Sequence, residues 1–157
     1  MKAVPAVLFV SLVAGCPGDD PPPPDAAALA LFPADYLDSY VQVRDCRTSA
    51  DHELRKIRVV ADPLAKDAYM LRDRPFPEGA TLLKEERDEG CDGDITSFTV
   101  MVKLPDGSSP STLDWQWQRV DPKTMRDATE DRQRCITCHV GCADPPDFYM
   151  HTCAIPP

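Results

Sequence analysis

Ile95–Leu104 has the sequence Ile-Thr-Ser-Phe-Thr-Val-Met-Val-Lys-Leu, and Leu113–Val120 has the sequence Leu-Asp-Trp-Gln-Trp-Gln-Arg-Val. In both stretches large apolar side chains recur at every second position, which is typical of a β-strand. Between them, Pro105-Asp106-Gly107 is a turn sequence. The two stretches therefore predict neighbouring antiparallel strands joined by a loop.

Further elements are predicted towards both ends of the chain. Lys56–Ala61 and Ala80–Glu85 are short apolar runs that predict two more strands, and Pro33–Tyr40 predicts a short helix or turn. Asp62-Pro63 is typical of a helix N-cap followed by a first-turn proline, and it predicts a helix over Pro63–Leu71.

The same Asp-Pro pattern at Asp121-Pro122 predicts a polar helix that continues to about Arg134. Strands grouped with a few short helices indicate an α+β fold with a mainly antiparallel β-sheet.

Composition limits the class of protein. The chain has 157 residues, 43% of them hydrophobic and 27% charged, which is typical of one soluble globular domain. Its formal net charge of -9 argues against a nucleic-acid partner, because phosphate binding needs a basic surface.

The N-terminus has the pattern of an export signal. Lys2 precedes a short apolar run that ends in Ala14-Gly15-Cys16, and this ending resembles a bacterial lipobox, in which the cysteine is lipidated. The alternative is an ordinary signal peptide with an incidental cysteine. Residues 1–15 are therefore predicted to be a lipoprotein signal peptide. The protein would be exported and held at the cell envelope, periplasmic or surface facing, with the lipid as its sole membrane contact.

Residues 16–30 are predicted to form a tether between this anchor and a folded domain over residues 31–157. Pro21–Pro24 is a run of prolines, which favours a stiff, extended spacer because each proline has a fixed φ and no backbone donor.

The most specific motif is Cys135-Ile136-Thr137-Cys138-His139. Cys-x-x-Cys-His is the pattern of covalent haem attachment: both thiols form thioethers to one porphyrin edge, and the adjacent imidazole is an axial ligand of the iron. The motif predicts one covalent haem c per chain near the C-terminus. Two alternatives remain at this point, a zinc site completed by His151 and Cys153 and a redox disulfide.

Four cysteines remain once Cys16 is assigned to lipid and two thiols to haem. Four cysteines allow three pairings, and we favour disulfides Cys46–Cys91 and Cys142–Cys153. The second disulfide would brace the segment that follows the haem motif.

Several ordered stretches resemble the cytochrome P-460 family over about Pro33 to Tyr149. Pro77–Glu85, Ile57–Pro63 and Thr99–Lys103 match family segments, Asp114-Trp115 lies where the family has an aromatic-bearing strand, and the haem motif closes the chain. The resemblance implies a mainly antiparallel β fold, often homodimeric, and a five-coordinate haem open to small nitrogen species. Name-giving members oxidise hydroxylamine and carry a lysine cross-linked to the porphyrin.

The residue that matches the cross-linked lysine is Lys84. In a strand it shares a face with Ala80 and Leu82, so it points into the core if that face is the inner one. The family also has a carboxylate that accepts protons near the open iron face, and the matching position is Thr99, whose hydroxyl is no base. If the register is shifted by one or two residues, Glu85, Glu86 or Asp94 supplies the carboxylate instead.

Three functions follow from these observations. The first is a haem protein that binds or oxidises hydroxylamine or nitric oxide and passes electrons to a redox partner protein. The second is an electron-transfer cytochrome with a sixth haem ligand, and the third is a zinc- or disulfide-stabilised lipoprotein module. The candidate sixth ligands are Met101, Met125, Met150, His52 and His151.

Overall fold

A computed structural model describes residues 27–142 and 149–153 of the chain. The predicted signal peptide, Cys16 and the proline-rich part of the tether lie outside the described residues. None of the helices within the described residues has the length and the apolar content needed to cross a membrane.

Six antiparallel strands form one sheet in which each strand pairs with its neighbours in the sequence. The strands are β1 (Val41–Thr48), β2 (Lys56–Ala61), β3 (Thr81–Arg87), β4 (Ile95–Lys103), β5 (Trp115–Asp121) and β6 (Arg126–Asp127). Two short helices, α1 (Ala65–Leu71) and α2 (Arg132–His139), complete the main elements of the described part of the chain. The predicted α+β class with a mainly antiparallel sheet is confirmed.

Both faces of the sheet are buried. One face, the helix face, packs against α1 and α2; its core includes Leu82, Met101, Trp115 and Trp117. The opposite face packs against the N-terminal segment. Its core residues are Phe32, Tyr36, Val60, Leu83, Phe98, Val100 and Val120. The alternation in β4 and β5 therefore separates two apolar layers.

The predicted hydrogen bond from the start of α1 to Asp62 is present, but the helix begins at Ala65 rather than at Pro63, and its N-cap residue is Leu64. Asp62 Oδ1 accepts a hydrogen bond from the backbone N–H of Ala65 at 2.7 Å, and α1 begins there. The predicted turn near Pro33–Tyr40 is a 3₁₀ turn over Tyr36–Asp38.

The predicted polar helix from Asp121-Pro122 to Arg134 is wrong. Asp121 ends β5, and its Oδ1 accepts hydrogen bonds from the backbone N–H groups of Lys123 (2.9 Å) and Thr124 (2.8 Å). Met125 has a φ of 53°, and β6 then pairs back onto β5. An aspartate that bonds nearby backbone N–H groups stabilises a turn as readily as a helix start, and here hairpin pairing decides between them.

Strand β1 was missed by the sequence analysis. It is an edge strand with two irregularities in its pairing to β2, between Gln42 and Arg44 and between Arg44 and Arg47. Each irregularity shifts the alternation of faces, so no continuous period of two is visible in the sequence.

Candidate functional site

Helix α2 carries the Cys-x-x-Cys-His motif and presents its three functional residues together. The Asp131 carboxylate caps the helix by accepting a hydrogen bond from the backbone N–H of Arg134 at 3.2 Å. Cys135, Cys138 and His139 are separated by three and four positions, which places them on one side of an α-helix. Both cysteines are free thiols.

The His139 imidazole is fixed by its surroundings. It is 6% exposed, its ring lies 4.7 Å from the Trp117 ring in an edge arrangement, and its Nδ1 donates a hydrogen bond to the backbone carbonyl of His151. Burial and the nearby positive charge of Lys84 lower the pKa of His139 to about 3, so the ring is neutral. A neutral ring with the proton on Nδ1 leaves the lone pair of Nε2 available to a metal.

A cavity of about 610 Å³ lies between α2 and the helix face of the sheet. Its walls include Lys84, Thr99, Cys135, Cys138 and His139. This volume is within the range typical of cofactor and small-molecule sites. The structure thus brings the predicted lysine and threonine positions to the same cavity as the haem motif.

Lys84 and Thr99 are direct cross-strand partners in the β3–β4 pair. As predicted from the period of two, Lys84 shares the helix face with Ala80 and Leu82. The Thr99 hydroxyl is buried and has no hydrogen-bond partner within the described residues. A buried hydroxyl without a partner is costly, so this atom indicates a group that belongs in the cavity.

A histidine and a glutamate extend the polar wall next to Lys84. His52 Nε2 lies 3.1 Å from Lys84 Nζ, and His52 Nδ1 lies 3.0 Å from Glu86 Oε1. Ser97 donates a hydrogen bond to the other oxygen of Glu86. Burial alone raises the pKa of Glu86, but the hydrogen bonds from His52 and Ser97 outweigh it and lower this pKa to about 2. Glu86 is therefore a carboxylate at neutral pH.

Of the three alternative carboxylates, Glu86 lines the cavity. Glu85 points to the opposite face, where it accepts hydrogen bonds from Arg58 (2.8 Å), Arg87 (2.9 Å) and Tyr36 (2.8 Å). Asp94 is exposed at the start of β4. Successive side chains of a strand point to opposite faces, so Glu86 shares the face of Lys84 and Glu85 points to the other face.

The five candidate sixth ligands divide into two groups. His52 and Met101 line the cavity, whereas Met125, Met150 and His151 do not. His151 instead holds the C-terminal segment against α2, since its Nδ1 lies 3.2 Å from the backbone carbonyl of His139.

Both predicted disulfides are present. Cys46 is bonded to Cys91, and Cys142 is bonded to Cys153. Because Cys153 is part of a disulfide, it is not available as a thiolate, and the zinc alternative loses one of its four ligands. Within residues 27–142 and 149–153, no three His, Cys, Asp or Glu side chains are grouped as a metal site.

The sequence profile of the cytochrome P460 family matches residues 33–149, which is most of the chain. The chain belongs to the cytochrome P460 family. A search of curated proteins finds no match to it. Membership of this family implies a haem cofactor. The cavity fits one: free thiols and a neutral imidazole share a wall with apolar side chains and an unpartnered hydroxyl.

His52 was predicted as a candidate iron ligand and Glu86 as one of three alternative carboxylates, but the contact of the two side chains beside Lys84 was not predicted. His52 is 32 residues from Lys84 in a 3₁₀ turn, where local periodicity gives no information about its neighbours. The position of Glu86 on the face of Lys84 could have been predicted, because it lies two positions after Lys84 in the same strand.

Proposed function

We propose that this chain is an exported c-type haem protein that binds or oxidises small nitrogen species such as hydroxylamine or nitric oxide. The observation that carries the proposal is the cavity shared by Cys135, Cys138, His139, Lys84 and Thr99. Cys135 and Cys138 would hold the porphyrin through thioethers, and the His139 imidazole would coordinate the iron. Lys84 is the candidate for a further covalent link to the porphyrin.

Haem iron with an open coordination position supplies ligand binding and electron transfer to this site when it is bound. The cavity wall next to Lys84 is lined by polar side chains of the protein. The Thr99 hydroxyl is able to donate or accept a hydrogen bond to a bound group. The His52 imidazole, held by the Glu86 carboxylate, is able to accept a proton. Oxidation of hydroxylamine releases protons, and the His52 imidazole would be the acceptor that Thr99 does not provide. Glu86, whose pKa is about 2, stays ionised and orients that imidazole.

An electron-transfer cytochrome is the second candidate function, and Met101 is the observation that favours it. Met101 is 4% exposed, and it lines the cavity. A methionine ligand on the second face of the iron would raise the reduction potential and exclude nitrogen ligands.

The direct test uses the full-length protein exported from cells that have haem-maturation machinery. We expect mass spectrometry to show haem on the peptide with Cys135 and Cys138, and a Cys135→Ser/Cys138→Ser variant to lack it. A high-spin ferrous spectrum that changes with nitric oxide supports the nitrogen-ligand function. Absence of the haem mass would refute the proposal.

The ferrous spectrum of the same sample distinguishes the nitrogen-ligand function from the electron-transfer function. A low-spin ferrous spectrum that is indifferent to nitric oxide, and that becomes responsive in Met101→Leu, would favour the electron carrier. If the haem responds to nitric oxide, turnover of hydroxylamine with an artificial electron acceptor distinguishes catalysis from binding.

A further inference from the structure

Three arginines surround Tyr69 at one edge of the cavity. Arg44 and Arg47 lie in β1, Arg72 follows the last residue of α1, and Tyr69 lies within α1. Burial raises the pKa of the Tyr69 phenol, and the nearby positive charges of Arg44, Arg47 and Arg72 oppose that shift. The Tyr69 side chain is buried, with 6% of the residue exposed.

Each of these guanidinium groups has one buried nitrogen without a partner among the residues that the structure describes, although the three residues are partly exposed. Arg44 Nη1, Arg47 Nη1 and Arg72 Nε are buried without a hydrogen-bond partner within the described residues. None of the ion pairs in that part of the chain involves these three side chains. Burial and the neighbouring Arg44 both lower the pKa of Arg47.

A bound anion would stabilise this arrangement. Burying a charge without a partner costs free energy, and like charges placed together add to that cost. The chain is acidic, with 26 Asp and Glu against 17 Lys and Arg, yet no ion pair joins a described carboxylate to this cluster. The missing negative charge is therefore expected from a bound group.

The cluster opens onto the cavity of the candidate functional site. Arg47 and Tyr69 line the same cavity as Lys84, Cys135 and His139. A group that fills this cavity can therefore place an anionic edge against Arg47, with Arg44 next to it. Planar guanidinium groups match carboxylates best, because two parallel N–H donors meet two oxygens.

We propose that Arg47, with Arg44 and Arg72, forms a carboxylate-binding site at the edge of the cavity, and that a propionate of the haem occupies it. This inference rests on the proposed function. A free small carboxylate has the same chemistry, so the test must distinguish the two sources.

The test compares Arg47→Gln with Arg74→Gln in the haem-loaded protein. Arg74 is a suitable control because it is an arginine close in sequence that pairs with Asp73 at the surface. The readout is the reduction potential of the haem as a function of pH. A carboxyl group paired with arginine stays ionised to low pH, and it titrates at higher pH when the arginine is removed.

We expect Arg47→Gln to lower the potential and to make it depend on pH over a range in which the unmodified protein and Arg74→Gln show no dependence. Arg47→Lys keeps the charge but loses the paired donors, so it should show the pH dependence with a smaller change in potential. Arg44→Gln and Arg72→Gln are the alternatives if Arg47→Gln does not fold.

Thermal stability measured in sodium acetate, with sodium chloride at equal ionic strength as the control, distinguishes a haem propionate from a free carboxylate as the occupant of the site. Saturable thermal stabilisation by acetate in the haem-loaded protein, absent from Arg47→Gln, would show that the site is open and overturn its occupation by propionate. If the reduction potentials of Arg47→Gln and Arg74→Gln depend on pH in the same way, and acetate has no effect on stability, the proposal of a carboxylate-binding site is refuted. Absence of haem from the mass spectrum refutes the proposed function instead, and acetate then tests the site independently.

Discussion

Replacing Glu86 by glutamine tests whether an ionised carboxylate at this position stabilises the fold and orients His52 beside Lys84. The Glu86 side chain is 4% exposed, and its carboxylate contacts His52, Ser97 and, at 3.7 Å, Arg119. These contacts lower its pKa from 4.5 to about 2 against the effect of burial. A tenfold change in a protonation equilibrium is about 1.4 kcal/mol, so this difference corresponds to roughly 3 kcal/mol of folding stability.

The sign of the pH dependence follows from the lowered pKa. A carboxyl group that is more acidic in the folded protein stabilises it fully above the unfolded pKa of 4.5 and loses that contribution as pH falls towards about 2. Glu86→Gln should therefore be less stable than the unmodified protein by roughly 3 kcal/mol near neutral pH, and the difference should shrink on acidification. Urea unfolding at a series of pH values measures both quantities.

Glu85→Gln is the matched control. Glu85 is the adjacent residue of the same strand, is fully buried and has its own arginine partners on the opposite face. We expect both variants to lose stability, whereas Glu86→Gln alone should change nitric oxide binding to the haem. A stability difference for Glu86→Gln that is the same at every pH would refute the argument, as would a change in nitric oxide binding of equal size in Glu85→Gln.

Three further predictions concern the disulfides and Thr99. The Cys46–Cys91 disulfide spans 45 residues, so replacing both cysteines by serine should cost up to about 4 kcal/mol in the free energy of unfolding, measured in urea without reductant. The Cys142–Cys153 disulfide spans 11 residues, and its removal should cost about 3 kcal/mol; a loss greater than that for Cys46–Cys91 would contradict the loop-entropy argument. Thr99→Val removes a hydroxyl without a described partner, so stability should be unchanged or slightly higher, while nitric oxide should bind about fivefold more weakly, as loss of a hydrogen bond of about 1 kcal/mol implies. Unchanged nitric oxide affinity, measured by optical titration, would show that Thr99 does not contact the ligand.

Features with a local cause could be predicted from the sequence. The alternation in Ile95–Leu104 and Leu113–Val120 predicted two paired strands, because side chains of a strand alternate between faces. The role of Asp62 was predictable because its carboxylate accepts a hydrogen bond from a backbone N–H only three positions later in the chain. The face shared by Lys84 and Leu82 followed from the same period of two.

The same reasoning failed where a long-range contact decides between two local structures. Asp121-Pro122 resembles a helix start as closely as Asp62-Pro63 does, and the pairing of β6 with β5 turns it into a hairpin. The pairing irregularities in β1 likewise follow from its partner strand, and they hid that strand from a periodicity analysis.

Local sequence patterns were enough to predict strands β2 to β5, the grouping of two thiols and an imidazole within about one helical turn, and the family to which the chain belongs. Tertiary structure alone decided which groups face that motif. His52 meets Lys84 across 32 residues of chain, and Arg72 joins Arg44 near Tyr69 because α1 packs beside β1. The physical reason is that periodicity assigns each side chain to a face, whereas packing of the elements selects the side chains that meet across it.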